Sequence, residues 1–220
     1  MQVDLLTFWP KILEATNETL AMVGIALVFA TLIGLPLGVA LVVTRPNGLL
    51  QNSPVFKVLN AIVNFFRSIP FIILLVAILP ITRFLVGTSI GTAAAVVPLV
   101  FFSGPYIARL VESSLLEVKP GVVEAAEAMG ATPWQIVFRV LIPEALSSLV
   151  LNITIATIGL VGASAMAGFV GGGGLGDLAI AYGYQRFETD IMIITVLLLV
   201  VLVQLVQTTG NLLSRKIRRH

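Results

Sequence analysis

Glu124-Ala125-Ala126-Glu127-Ala128-Met129-Gly130, followed by Val140-Leu141-Ile142-Pro143, is the longest polar interruption in an otherwise apolar chain. Its chemistry is recognition. Glu124 and Glu127 supply charge for steering or for pairing with basic groups. Ala125, Ala126 and Ala128 let a partner approach the backbone closely. Nothing comparable supports catalysis. The single histidine is the terminal His220, and no base stands ready to activate a serine or aspartate. With no cysteine, no second histidine and carboxylates scattered through loops, neither a metal cluster nor thiol chemistry is expected. Gly171–Gly174 with Gly176 lacks the Gly-Lys-Ser/Thr ending of a phosphate loop and follows no strand, which rules out nucleotide binding there. No catalytic, cofactor or metal residue is assigned to this chain.

The elements that hold the polar segment are membrane helices. Of the 220 residues, 58% are apolar and 11% charged, against about 45–50% and about 25% in soluble domains. Charge-free runs cover Thr19–Thr44, Ser68–Thr82, Phe84–Ala108, Ala145–Gly176 and Ile191–Ser214. About 20 residues cross the hydrocarbon core, so the second run needs extension through Arg67 to Val58. The expectation is an all-α membrane protein, one transmembrane domain over 1–220. Its five spans run over about 19–44, 58–82, 84–108, 145–170 and 191–214. Continuous apolar runs exclude a β-barrel, whose strands alternate. The N-terminus has no basic leader, since Asp4 precedes Lys11, Glu14 and Glu18, so no cleaved signal peptide is expected.

With the N-terminus outside, the inner loops and tail hold nine basic residues: Arg45, Lys57, Arg109, Lys119, Arg139, Arg215, Lys216, Arg218 and Arg219. The outer segments hold three, Lys11, Arg83 and Arg186. Leaving aside Arg67 near a helix end, the positive-inside rule places the C-terminus in the cytoplasm. Gly34-Leu35-Pro36-Leu37-Gly38 is a small-xxx-small pair for close helix packing, around a proline expected to kink the first span. Arg67, before Ser68-Ile69-Pro70, is expected to reach water or a carboxylate. Gly87, Gly91, Ala93–Ala95, Pro98, Gly104 and Pro105 put the third span inside a bundle.

The polar segment between spans three and four reads as two short helices over about 120–143. Gly130 fits the left-handed position that ends the first. Thr132, Pro133 and Gln135 form the cap, first residue and capping box of the second, which Pro143 is expected to stop. The glycine-rich stretch after the fourth span reads as an outer loop or a broken helix end.

Glu124-Ala125-Ala126, Gly130 and Val140-Leu141-Ile142-Pro143 resemble the EAA motif of the permease subunits of bacterial ABC importers, with Val140 and Ile142 replacing the usual Ile and Leu. Ala61–Leu75, Val86–Gly91, Glu124–Pro133 and the glycines after Ala163-Ser164-Ala165-Met166 are similar to methionine importer permeases. The resemblance implies a multi-pass protein of the bacterial inner membrane, working as a homodimer. Two cytoplasmic ATP-binding subunits would bind ATP and Mg, and an external binding protein would deliver methionine. It also implies that Glu124, Ala125, Ala126, Glu127, Gly130, Ala131, Thr132 and Pro143 couple to the ATPase.

The small residues of the fourth span, Gly159, Gly162, Ala163, Ser164, Ala165, Ala167 and Gly168, suit a pore lining, with Met166 as gate. The same pattern admits a permease for another amino acid or an osmoprotectant. A secondary transporter or channel is the other class. Against ion coupling stands the lack of ionisable groups inside the long spans. No nucleic-acid partner is indicated.

Overall fold

The computed structural model describes residues 5–218, so Asp4, Arg219 and His220 lie outside the described residues. Helix α1 runs without interruption from Leu5 to Thr44 and carries both Pro10 and Pro36 inside it. The polar Glu14–Glu18 stretch lies inside this first helix. Asn47, in the left-handed region at φ 62°, and Gly48 turn the chain into α2 (Ser53–Ser68). The Asn52 side chain accepts from the Val55 N–H to cap its start.

The second apolar run is not one straight span. At Ile69-Pro70 the chain bends by 102° between α2 and α3 (Phe71–Ala77). Proline has no N–H for the helical ladder and drives the preceding residue out of the α region. Ile69 accordingly sits in the extended region. Arg67 is exposed, and among the described residues the one ion pair is Arg109–Glu112, so no carboxylate of the described chain pairs with it. After α4 (Leu79–Val86), a turn with Gly87 and Gly91 at positive φ delays the third long helix. That helix, α5, covers Thr92–Leu116 rather than starting at Phe84.

The core forms where α1 and α5 lie side by side and parallel. A Cβ at Gly34 would come within 2.7 Å of the Gly104 carbonyl oxygen, and one at Gly38 within 2.6 Å of the Ala108 oxygen. The glycine pair thus buys backbone contact, since lipid gives apolar side chains no reason to leave it. Ala94, Ala95, Pro98, Gly104 and Pro105 of α5 are all buried, as the expectation of a bundle-interior helix required.

From Pro133 to Val170 the chain is one long helical element: α7 (Pro133–Ile136), a π turn over Val137–Leu141, and α8 (Ile142–Ala167). Pro143 does not stop the second short helix. In the wider π turn the Ile142 N–H reaches back to the Val137 carbonyl, five residues away, and Pro143 falls in the first turn of α8. That position tolerates a missing N–H.

The glycine-rich stretch is packed, not an exposed loop. It leads into α9 (Gly174–Leu178), whose first two N–H groups donate to the Glu18 carboxylate (2.7 Å) and the Thr19 hydroxyl (2.8 Å) of α1. The Gly91 N–H donates to the Gly171 carbonyl at 2.9 Å. A π turn (Ala179–Tyr184) and a short loop lead to α10 (Thr189–Arg218). Among the described residues four helical elements are long and apolar enough to cross a membrane, and the bent α2–α3 pair can supply a fifth.

Burial, and then the neighbouring Glu18 carboxylate, push the Asp177 carboxyl of α9 above the usual aspartate range. An acid raised in the folded state binds more protons folded than unfolded, so stability falls as pH rises through that raised value. Asp177→Asn removes this loss. Melting temperatures between pH 4 and 8 are expected to show a flatter profile for the variant and higher stability at the alkaline end. A slope identical to wild type contradicts the assignment.

Candidate functional site

One end of the bundle gathers the turn after α1, the end of α5, the start of α8 and the end of α10. Arg45, Asn47, Leu115, Val118, Glu124, Glu127 and Leu141 line one cavity there. Glu117, Lys119, Glu144, Ser147 and Arg218 line another. Between them stands α6 (Pro120–Ala128), carrying most of the polar segment singled out above.

The local sequence dictates how α6 ends. Gly130 has φ 78°, the left-handed conformation in which a Cβ is penalised. The Gly130 N–H donates to the Glu127 carbonyl at 2.9 Å and the Ala131 N–H to the Ala126 carbonyl at 3.1 Å. This is the complete double-bonded glycine cap. Two residues later the Thr132 hydroxyl accepts from the Gln135 N–H, while the Gln135 side-chain oxygen accepts from the Thr132 N–H at 2.9 Å. The connection between α6 and α7 is therefore closed by four hydrogen bonds within the ten residues Ala126–Gln135, all local to the chain.

Its two faces differ. Glu124, Ala125, Glu127, Ala128, Met129 and Gly130 are exposed, Met129 at 81%. Ala126 is 3% exposed and packs into this chain's own core with Ile136, Val137 and Leu141. Of the three alanines, two remain on the outer face, and Ala126 holds α6 to the base of the long helical element. Ala131 is partly buried against the same core, and Pro143 lies beyond the reversal in α8. Sequence reasoning passed over Met129, a large apolar side chain at the tip, and over exposed Trp134, stacked on Phe138 with ring centroids 6.1 Å apart. Their signal was apolar side chains inside a polar segment.

The other candidates lie along α8, at and beyond its middle. Ile155, Gly159, Gly162 and Met166 are exposed at successive turns and form one open face. A Cβ at Gly159 or Gly162 would meet nothing within 4 Å. Ser164 is not on that face. It is 1% exposed, and its hydroxyl donates to the Val161 carbonyl at 2.8 Å.

Toward the α6 end, polar side chains tie α8 to its neighbours. Asn152 donates to the Ser114 hydroxyl (2.7 Å) and Ser148 to the Glu117 carboxylate (2.7 Å), both across to the α5 side. Ser147 and Ser214 of α10 share a hydrogen bond of 2.8 Å. Arg109, counted from sequence among the loop charges, lies within α5. Its guanidinium pairs with Glu112 and donates to Asn60 and Asn64 of α2 at 2.7 and 2.8 Å. These bonds hold the parts at the α6 end together.

Comparison with known proteins places this architecture. The model of the family described as "Binding-protein-dependent transport system inner membrane component" matches residues 30–219. The probable D-methionine transport system permease protein MetI of Vibrio cholerae is 53% identical over 206 residues, 94% of this chain and 92% of that one. The D-methionine transport system permease protein MetI of Escherichia coli K12 is 57% identical over 151 residues, covering 69% and 70% of the two chains. A solved structure of the MetNI methionine ABC transporter in an inward-facing conformation superposes with a TM-score of 0.94 at 50% identity, covering 96% of this chain and 98% of that one.

Proposed function

This chain belongs to the family of inner membrane components of binding-protein-dependent transport systems, and from that membership and its similarity to the MetI permeases and the MetNI structure we propose that it is the permease of an ATP-driven methionine importer. The observation that carries the coupling is the rigid, outward-facing α6–α7 reversal, joined through Ala126 to the base of the α8 element. Two copies of the chain face each other across a two-fold axis, with the α6 end in the cytoplasm and the N-terminus outside. A cytoplasmic ATP-binding subunit docks on each α6, and an external binding protein delivers the cargo. ATP and Mg reside in the partner subunit, and this chain holds neither.

Glu124, Ala125, Glu127, Gly130 and Thr132 form or shape the docking face. Ala126, Ala131 and Pro143 fix it to the helix behind. Closure of the ATPase pair moves the two α6 helices, and the capped reversal passes that displacement to α7 and α8 without bending. Each bundle then rocks as a body, which is alternating access by rigid-body motion.

The open α8 face with Gly162 and Met166 turns to the axis and lines the path, while Ser164 steadies the helix from behind. Met166, 40% exposed where its neighbours are glycine and alanine, closes that path with an adaptable thioether. Met166→Ala is therefore expected to let solute cross reconstituted vesicles without ATP. Unchanged, strictly ATP-dependent flux in that variant counts against the gate. The cargo is tested by methionine uptake into the same vesicles, with other amino acids and osmoprotectants as competitors. Uptake of a competitor in preference to methionine overturns the substrate and leaves the coupling standing.

A further inference from the structure

Away from the open face of α8 lies a groove of about 680 Å³ between α1, α8 and α10, lined almost wholly by apolar side chains. Its floor is set where Gly210 of α10 passes so close to Thr154 of α8 that a Cβ there would collide with the threonine side chain. Ile142, Leu146, Leu149, Ile153 and Thr157 form the α8 wall. Leu205, Thr209 and Leu213 form the α10 wall, and Leu27 and Leu35 of α1 close the far side. At ~1.5 Å per residue, the α8 wall is about 22 Å long, most of a hydrocarbon core of ~30 Å.

Beyond the groove at the α6 end each of the two helical elements carries a cation. Arg139 stands three residues before Ile142 in the π segment, and Lys216 continues the row Leu205–Thr209–Leu213. Both are exposed, and no carboxylate interrupts either row. Glu144 lies on the other side of α8, in the polar cavity with Ser147 and Glu117.

We propose that this groove holds an acyl chain of an anionic phospholipid from the bilayer, with the lipid phosphate between Arg139 and Lys216. An apolar trough capped by two basic groups matches an acyl tail under a negative headgroup, and each basic group near a headgroup is worth ~1 kcal/mol. A partner copy of this chain is the other possible occupant. At ~100° per residue the groove wall of α8 is centred about half a turn from Gly159, Gly162 and Met166. The inference rests on the reading that this opposite face turns to the two-fold axis, which leaves the groove facing lipid.

The test is native mass spectrometry of the complex purified from lipid nanodiscs of phosphatidylglycerol mixed with phosphatidylcholine. Wild type is expected to retain phosphatidylglycerol preferentially. Arg139→Gln with Lys216→Gln is expected to reduce that preference roughly 30-fold, the equivalent of about 2 kcal/mol at ~1 kcal/mol for each charge. Leu213→Trp, which keeps both charges and fills the trough, is expected to remove the retained lipid. Equal retention of both lipids, or retention unaffected by either variant, overturns the proposal and leaves the importer reading intact. Because the chain has no native cysteine, Leu213→Cys gives a clean probe of the alternative. A disulfide between two copies would overturn both the lipid site and the orientation of α8 on which it rests.

Discussion

Gly130→Val is expected to abolish ATP-driven uptake while the protein still inserts in the membrane. Gly130 holds φ 78°, and a β-branched residue is a severe outlier there. The strain costs about 1–3 kcal/mol. A Cβ at this position meets nothing within 4 Å in the chain itself, so the penalty is conformational and not a clash. The chain relieves it by giving up the cap, which releases the Glu127 and Ala126 carbonyls and swings the Glu124–Met129 face away from its docked position. At about 1.4 kcal/mol per tenfold in affinity, a loss of roughly 10–100-fold in ATPase binding follows. Gly130→Asn provides the control, because asparagine tolerates the left-handed region and is expected to retain most activity. Pull-down of the ATPase subunit and uptake in vesicles check both variants. Normal assembly by Gly130→Val contradicts the role assigned to the cap.

Gly38→Val is expected to damage the fold itself. Its Cβ would lie 2.6 Å from the Ala108 carbonyl oxygen and 2.6 Å from the Val111 Cβ. Backbone oxygen in a helix cannot step aside, so α1 and α5 must separate along a contact that buries Val39, Val42, Ile107 and Val111. Overpacking of this kind costs about 1–3 kcal/mol and at times more. Gly24→Ala, in the same helix, meets nothing within 4 Å and is expected to be neutral. Thermal unfolding in detergent compares the two. Equal melting temperatures contradict the claim that the glycine pair sets the α1–α5 distance.

What was legible in the sequence was local. The glycine cap at Gly130 and the Thr132–Gln135 box each depend on residues within a few positions of one another, and backbone stereochemistry leaves them few alternatives; the Gly34–Gly38 spacing was legible too, but not that its partners are Gly104 and Ala108. The break at Pro70 was visible as a proline, but its 102° turn was not. A bend angle depends on what both halves pack against.

Pro143 misled for a related reason. Proline usually ends a helix, and only the π turn at Val137–Leu141 lets this one begin α8 without interrupting the chain. The glycine-rich stretch looked open because the groups that satisfy it, Glu18 and Thr19, lie 156 residues earlier. Arg109 looked like a loop charge because Asn60 and Asn64, which hold it, belong to a different helix.

Faces were the least legible feature of all. In a membrane chain the side against lipid and the side against protein are equally apolar. Composition therefore did not separate the open face of α8 from buried Ser164, and in α6 three identical alanines gave no sign of which one faces the core.

In the proposed importer the Glu124–Gly130 face joins this chain to an ATPase. Extraction of the native assembly in mild detergent, followed by measurement of its intact mass, tests it most directly. Two copies of this chain with two ATP-binding subunits are expected, with the subunits lost when Glu124 and Gly130 are replaced. A stable wild-type assembly carrying no ATP-binding subunit contradicts the account and reduces that face to a connecting loop.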